Sequence, residues 1–146
     1  MRLTTKGRYA VTAMIDLGLR SDGSALTLHE IAKKQDISLS YLEQLFAGLR
    51  RHGLVSGTRG PGGGYRLAKD ASEISVADVI VAVDEKVDIT NCNGRGDCKD
   101  GEQCLTHELW TNLSCMLYEF MDSIKLSSLL ETANDESKVK MRVAAG

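Results

Sequence analysis

The stretch Thr27-Leu-His-Glu30-Ile-Ala-Lys-Lys-Gln35-Asp-Ile-Ser38-Leu-Ser40-Tyr-Leu42-Glu-Gln-Leu45-Phe46-Ala-Gly-Leu49-Arg-Arg-His-Gly53 holds the signals for two capped helices and the turn between them. Thr27 followed three residues later by Glu30 is a capping box, which starts a short helix over about 28–35. Asp36-Ile37-Ser38 turns the chain. A second helix then begins, capped by Ser38 or by Ser40, whose Glu43 makes another S-x-x-E box. Leu42, Leu45, Phe46 and Leu49 stand at i, i+3, i+4 and i+7 and form its inner stripe. Gly53 sits where a C′ glycine belongs. Two short helices across a tight turn make a helix-turn-helix, although ordinary helical domains contain the same arrangement. The flanking sequence decides between them.

Before this stretch, Thr4 or Thr5 caps a helix running to about Arg20, with Tyr9, Ala10, Ala13, Met14 and Leu17 as its buried stripe. Ser21-Asp-Gly-Ser24 breaks it. After the stretch, residues 54–59 and 65–68 read as two strands around Gly60-Pro-Gly-Gly-Gly64. A hairpin at this point is a wing, and Arg59 and Arg66 flank its glycine-rich tip. Ser75 caps a further helix over 76–83 with Asp78 at N3. The predicted class is therefore mainly α: a winged helix-turn-helix domain over 1–83 with a β-hairpin wing.

Residue types in this unit point to DNA. The second helix would lie in the major groove with its N-terminal turn toward base edges, where Ser40, Tyr41, Glu43 and Gln44 are the polar residues. Gln44 can pair bidentately with adenine, and Glu43 can accept from cytosine N4. Arg2, Lys6, Arg8, Arg50, Arg51 and Arg59 are candidates for phosphate contact, which orients the protein without reading sequence. Arg59, on the wing, could instead enter a narrow minor groove.

The charge distribution agrees. The net charge of −2 hides eleven Lys/Arg against six Asp/Glu in residues 1–70, and seven against fourteen in residues 71–146. Only the basic half is suited to a polyanion. No apolar run reaches transmembrane length and no signal peptide is recognisable, so a cytoplasmic protein with no membrane partner is expected. There is no nucleotide loop and no nucleophile–base pair, and His29 and His52 sit alone on helical faces. Nothing points to an enzyme.

Residues 84–106 form a loop of different character. Cys92-Asn-Gly-Arg-Gly-Asp-Cys98-Lys-Asp-Gly-Glu-Gln-Cys104-Leu-Thr-His107 reads C-x5-C-x5-C-x2-H, with Gly94, Gly96, Asp97, Asp100 and Gly101 permitting tight turns. Three thiolates and an imidazole can bind tetrahedral zinc or a small iron–sulfur cluster. The x5 gaps exceed the usual zinc-knuckle spacing and lean toward a cluster. Gathering three cysteines in one loop also argues for a reducing compartment rather than a disulfide framework. Beyond it, residues 107–132 read as a long helix and a short following one. Leu109, Trp110, Leu113, Met116, Leu117, Phe120, Met121 and Ile124 form a wide apolar stripe. A second copy of the chain is the economical cover, since DNA readers often bind palindromes as two-fold dimers. The alternative is packing onto the same subunit. Cys115 falls opposite that stripe, beside Glu108, Glu119 and Asp122, and stays outside the ligand set. Residues 133–146 are polar and weakly patterned, a tail expected to fray.

Met1-Arg-Leu-Thr-Thr-Lys-Gly-Arg-Tyr-Ala, Ile37-Ser-Leu-Ser-Tyr-Leu-Glu-Gln-Leu-Phe46, Arg59-Gly-Pro-Gly-Gly-Gly-Tyr65 and the cysteine loop together resemble the IscR family of iron–sulfur cluster regulators, from Met1 to about Leu130. The resemblance implies a homodimeric transcription factor with a [2Fe–2S] cluster on Cys92, Cys98, Cys104 and His107. It further implies palindromic operators, control of cluster-assembly genes as repressor and activator, and cluster-assembly proteins as cluster donors. Apo protein of this family still binds some sites. The nearest alternatives are a nitric-oxide or iron sensor of the same superfamily and a zinc-stabilised DNA-binding protein.

Overall fold

The computed structural model describes residues 5–20, 24–60, 63–85, 87, 90, 92 and 94–134. Arg2, the alternative cap Thr4, Pro61 and Gly62 of the wing tip, and the tail past 134 lie outside the described residues. In chain order come α1 (Thr5–Gly18), α2 (Leu28–Gln35), α3 (Leu39–Arg51), β1 (Val55–Thr58), β2 (Gly64–Leu67), α4 (Val76–Ala82) and α5 (His107–Ser123). A last helix, α6, covers the described residues 126–134.

The helix-turn-helix follows its local chemistry closely. The Glu30 N–H donates to Thr27 Oγ1 at 3.1 Å and the Thr27 N–H donates to Glu30 Oε2 at 2.8 Å, which closes the capping box. Asp36 ends α2 in the left-handed region at φ 54°. At α3 the structure chooses between the two serines. Ser38 is the cap, accepting from the Tyr41 N–H at 3.5 Å. Ser40 lies inside the first turn with its hydroxyl 3.0 Å from that of Ser38. The expected Ser40–Glu43 box is therefore not the cap of this helix. Chain reversal ends at Ser38, so the N3 position falls on Tyr41, and Glu43 becomes the fifth helical residue.

The core is assembled from stripes of five of the six helices, with the start of the wing beside them. Ala10, Ala13 and Met14 of α1, Ile31 of α2, Leu42, Leu45, Phe46 and Leu49 of α3, Val79 and Ala82 of α4, and Leu126 of α6 are all buried. Each large side chain among them stabilises the fold by about 1.5–3 kcal/mol. Buried Asp16 accepts from Lys34 Nζ and Gln35 Nε2, both at 2.8 Å, and so braces α1 against the end of α2. Gly48 lets α3 approach α4 closely, because a Cβ there would run into the Ala82 carbonyl.

The wing is an antiparallel pair with Val55 opposite Leu67 and Thr58 opposite Gly64. Tyr65 also exchanges backbone hydrogen bonds with Leu26, both at 2.8 Å, so the segment leading into α2 joins the hairpin. Gly64 is required at this junction: its φ is 148°, and a Cβ would lie 2.6 Å from the Leu26 carbonyl oxygen. The Phe46 and Tyr65 rings meet edge-on with centroids 4.9 Å apart, fastening the wing to α3.

Residues 124–126 return to the domain as a strand-like rung. The Val76 N–H donates to the Ile124 carbonyl and the Leu126 N–H to the Ile74 carbonyl, both at 2.9 Å. Ser75, fully buried, does two things at this joint. It accepts from the Asp78 N–H to cap α4, and it donates to Asp122 Oδ1 of α5, each at 3.0 Å. Ser75→Ala removes the α4 cap and the hydrogen bond to Asp122, so a loss of roughly 1–2 kcal/mol is expected in urea unfolding. An unchanged midpoint would show that Ser75 does not hold this joint.

Candidate metal centre and nucleic-acid interface

The cysteine loop folds back on itself through backbone chemistry visible in its residues. Asp100 and Gly101 take φ values of 49° and 83°. Lys99 and Glu102 on either side exchange backbone hydrogen bonds at 2.9 and 2.8 Å. This is a two-residue reversal of the kind Asp-Gly favours. It brings Cys104 beside Cys98, whose Sγ accepts from the Cys104 N–H at 3.0 Å. Gly94 and Gly96, at φ 79° and 82°, carry the chain round Cys92. The Gly96 N–H points at Cys92 Sγ at 3.4 Å.

His107, the first residue of α5, is buried and faces these sulfurs. Its Nδ1 lies 3.5 Å from Cys92 Sγ and 3.7 Å from Cys98 Sγ. Its Nε2 lies 3.4 Å from Thr111 Oγ1, a partner on the same helix that steadies the ring. The donor atoms of Cys92, Cys98 and His107 all fall within 4.8 Å of one another, a group able to hold a metal. Cys104 is adjacent but turned aside, with its Sγ 3.7 Å from Thr106 Oγ1. Two soft sulfurs and an imidazole already converge, and a third sulfur stands next to them. That donor set fits a thiophilic metal or cluster.

The electrostatics favour thiolates at two of the three cysteines. Burial pushes the Cys92 thiol up, but the Gly96 N–H, the Thr90 hydroxyl, the Gly94 N–H and the Cys98 thiol outweigh it and bring it down to about 7. Cys104 is lowered by the Cys98 thiol first, and then by the hydroxyl and N–H of Thr106. Cys98 is raised. The Cys104 N–H favours its thiolate, but the Cys104 thiol, burial and the charge on Cys104 together prevail. Three thiols packed this closely cannot all ionise without a cation among them.

In the winged domain, Ser40, Glu43 and Gln44 are exposed on the first half of α3 and Tyr41 is half-buried. Arg8, Arg50, Arg51 and Arg59 are exposed and Lys6 is half-exposed, so every described basic candidate is open to solvent. Arg50 and Arg59 line one groove between α3 and the wing, together with Thr58 and Tyr65. A second groove, at the start of α3, is lined by Ser38, Ser40, Tyr41 and Gln44 and also by Thr5 and Tyr9 of α1. Tyr9 packs edge-on against Tyr41, with ring centroids 6.0 Å apart. The periodicity of α1 assigned Tyr9 to the buried stripe, and its place beside α3 was not visible from that helix alone.

The apolar stripe of α5 divides into two faces. Leu117, Met121 and Ile124 are half-buried toward their own subunit. Leu109, Leu113, Met116 and Phe120 project outward with exposures of 56, 37, 65 and 64%. Trp110 lies at their edge, 40% exposed. Cys115 is exposed, away from the loop cysteines. Among the described residues no helix is long and apolar enough to cross a membrane.

A family model described as Rrf2, iron-dependent transcriptional regulator, matches residues 3–132. The chain is 58% identical over 130 residues to the HTH-type transcriptional regulator IscR of Escherichia coli, a match covering 89% of this chain and 80% of the relative. Among solved structures it is similar to T. potens IscR, with TM-score 0.74 and 35% identity over 91% of this chain and 88% of that one. It is also similar to CymR, the global cysteine regulator of B. subtilis, with TM-score 0.77 and 31% identity over 90% and 98% of the two chains. The Escherichia coli relative is named a transcriptional regulator and CymR a global cysteine regulator, and none of these names is that of an enzyme. By its winged helix-turn-helix and by these matches, the chain belongs to the Rrf2 family of transcriptional regulators.

Proposed function

We propose that this regulator carries a [2Fe–2S] cluster on Cys92, Cys98, Cys104 and His107, works as a homodimer on palindromic DNA in the cytoplasm, and adjusts cluster-assembly genes to cluster supply. The observation that carries the proposal is the convergence of the Cys92, Cys98 and His107 donor atoms within 4.8 Å in a chain of this family. When bound, the cluster supplies a cationic centre that neutralises the crowded thiolates and can exchange one electron. Cluster-assembly proteins would donate it. Replacing a fourth cysteine by histidine lowers the negative charge of the site and favours the reduced state.

The protein's own part is to position. His107 heads α5, whose far end is bonded to Ser75 and Val76 at the start of α4. The ligand loop thus joins α4 to α5, the two helices that are tied together at this joint. Loading can then alter the spacing or stability of two DNA-reading heads in a dimer joined through α5.

Sequence choice is assigned to Glu43, exposed near the N-terminal end of α3. A carboxylate there repels DNA unless a base donor such as cytosine N4 meets it. Glu43→Ala should remove about 1–3 kcal/mol of discrimination for a site with that cytosine and barely weaken, or even strengthen, binding to a site without it. Arg59→Ala, by contrast, should weaken both sites alike and make the salt dependence shallower by about one unit if it meets a phosphate. Salt titrations of two operator variants read both effects. Equal weakening of both variants by Glu43→Ala would remove the base-reading role.

A further inference from the structure

We propose that Thr106 and Trp110 are positioning residues for the third ligand thiolate, an inference that rests on the cluster assignment above. Thr106 occupies the N-cap position of α5, yet its side chain makes no capping hydrogen bond to the helix. Its hydroxyl is engaged elsewhere. Trp110 Nε1–H donates to Thr106 Oγ1 at 2.9 Å, and Cys104 Sγ lies 3.7 Å from the same oxygen.

The direction of this chain of contacts follows from the chemistry of its members. An indole N–H only donates, so it occupies an acceptor site on the hydroxyl. The hydroxyl has one proton left to place. A ligating sulfur is a thiolate with no proton of its own, so it can only accept. The order is therefore indole to hydroxyl to sulfur. Trp110 lies one turn into α5, so the helix itself aims the hydroxyl.

A hydrogen bond to a ligand sulfur withdraws electron density and stabilises the more electron-rich state of the centre. Cys104 is the sulfur not yet turned into the group formed by Cys92, Cys98 and His107. Thr106 and Trp110 therefore restrain the most adjustable ligand, and they tune the potential of whatever it binds. Neither spacing nor residue type at 106 and 110 distinguishes them in the sequence as ligands.

The test uses full-length holoprotein purified without oxygen, with iron content measured for every variant. Thr106→Val keeps the branched shape and removes the hydroxyl, Thr106→Ser keeps the hydroxyl, and Trp110→Phe removes only the indole donor. Thr106→Val should shift the one-electron reduction equilibrium toward the oxidised cluster by about tenfold, equivalent to about 59 mV for a single electron, and move the thiolate-to-iron absorption bands. Trp110→Phe should give a smaller shift in the same direction, and Thr106→Ser should match wild type. Loss of the cluster in Thr106→Val that Thr106→Ser restores supports the inference equally. A fully loaded Thr106→Val with the wild-type potential and spectrum overturns it, as does Thr106→Ser behaving like Thr106→Val. A wild type that holds no cluster removes the cluster assignment itself, and this inference with it.

Discussion

His107→Ala should leave a folded, DNA-competent protein that no longer retains its cluster. Removing even an outer partner of a metal ligand costs about 10–100-fold in affinity, so loss of a ligand should cost at least that much. The winged domain should survive, because its core is built from α1 to α4, α6, the wing and the segments between them, and includes no residue of the 84–106 loop. His107→Cys should keep a cluster with an altered spectrum and a lower potential, since a fourth thiolate adds negative charge. Acid should act in the direction of the alanine variant. Ligands must be deprotonated to bind, and Cys92 titrates near 7 before loading. Cluster uptake should therefore weaken as pH falls below about 7. Retention of a wild-type spectrum by His107→Ala would take this histidine out of the ligand set.

Phe120→Asp should turn a dimer into monomers and abolish palindrome binding at the same protein concentration. Phe120, Met116, Leu113 and Leu109 form an exposed apolar row along one side of α5. This row is the face that the proposed dimer would cover. In a two-fold seam each residue counts twice. A charge replacing a large central anchor costs about 2 kcal/mol or more per copy, so the dimer constant should weaken by roughly a thousandfold. Sedimentation at micromolar concentration reads the mass, and electrophoresis with full and half operators reads the DNA effect. A monomeric wild type would remove the seam. A variant that stays dimeric would place the seam elsewhere.

These two substitutions also mark where sequence alone ran out. Capping boxes at Thr27 and Ser75, the Leu42–Leu49 stripe and the glycine-rich turn are local signals, and local signals decide short helices and hairpins. The structure places the capping boxes and the stripe as their spacing predicts, and it pairs the strands on either side of the turn. Ambiguity arose where two residues offered the same local chemistry. Ser38 and Ser40 both precede a helical stripe, and only the tertiary placement of the Asp36–Ser38 turn makes Ser38 the cap. The α5 stripe was legible as apolar, yet its division into an inward face of Leu117 and Met121 and an outward face of Leu113 and Phe120 depends on how Ser75 and Leu126 anchor the helix end. The C-x5-C-x5-C-x2-H spacing named the ligand candidates. It carried no sign that Thr106 and Trp110 stand behind Cys104, because neither residue type binds metal.

The most direct test of a cluster-sensing regulator is the absorption spectrum, with iron, sulfide and zinc counts, of wild-type protein purified without oxygen. A coloured protein with two irons and two sulfides per chain, bleached by dithionite and lost in His107→Ala, is the predicted result. A colourless protein holding one zinc per chain would contradict it.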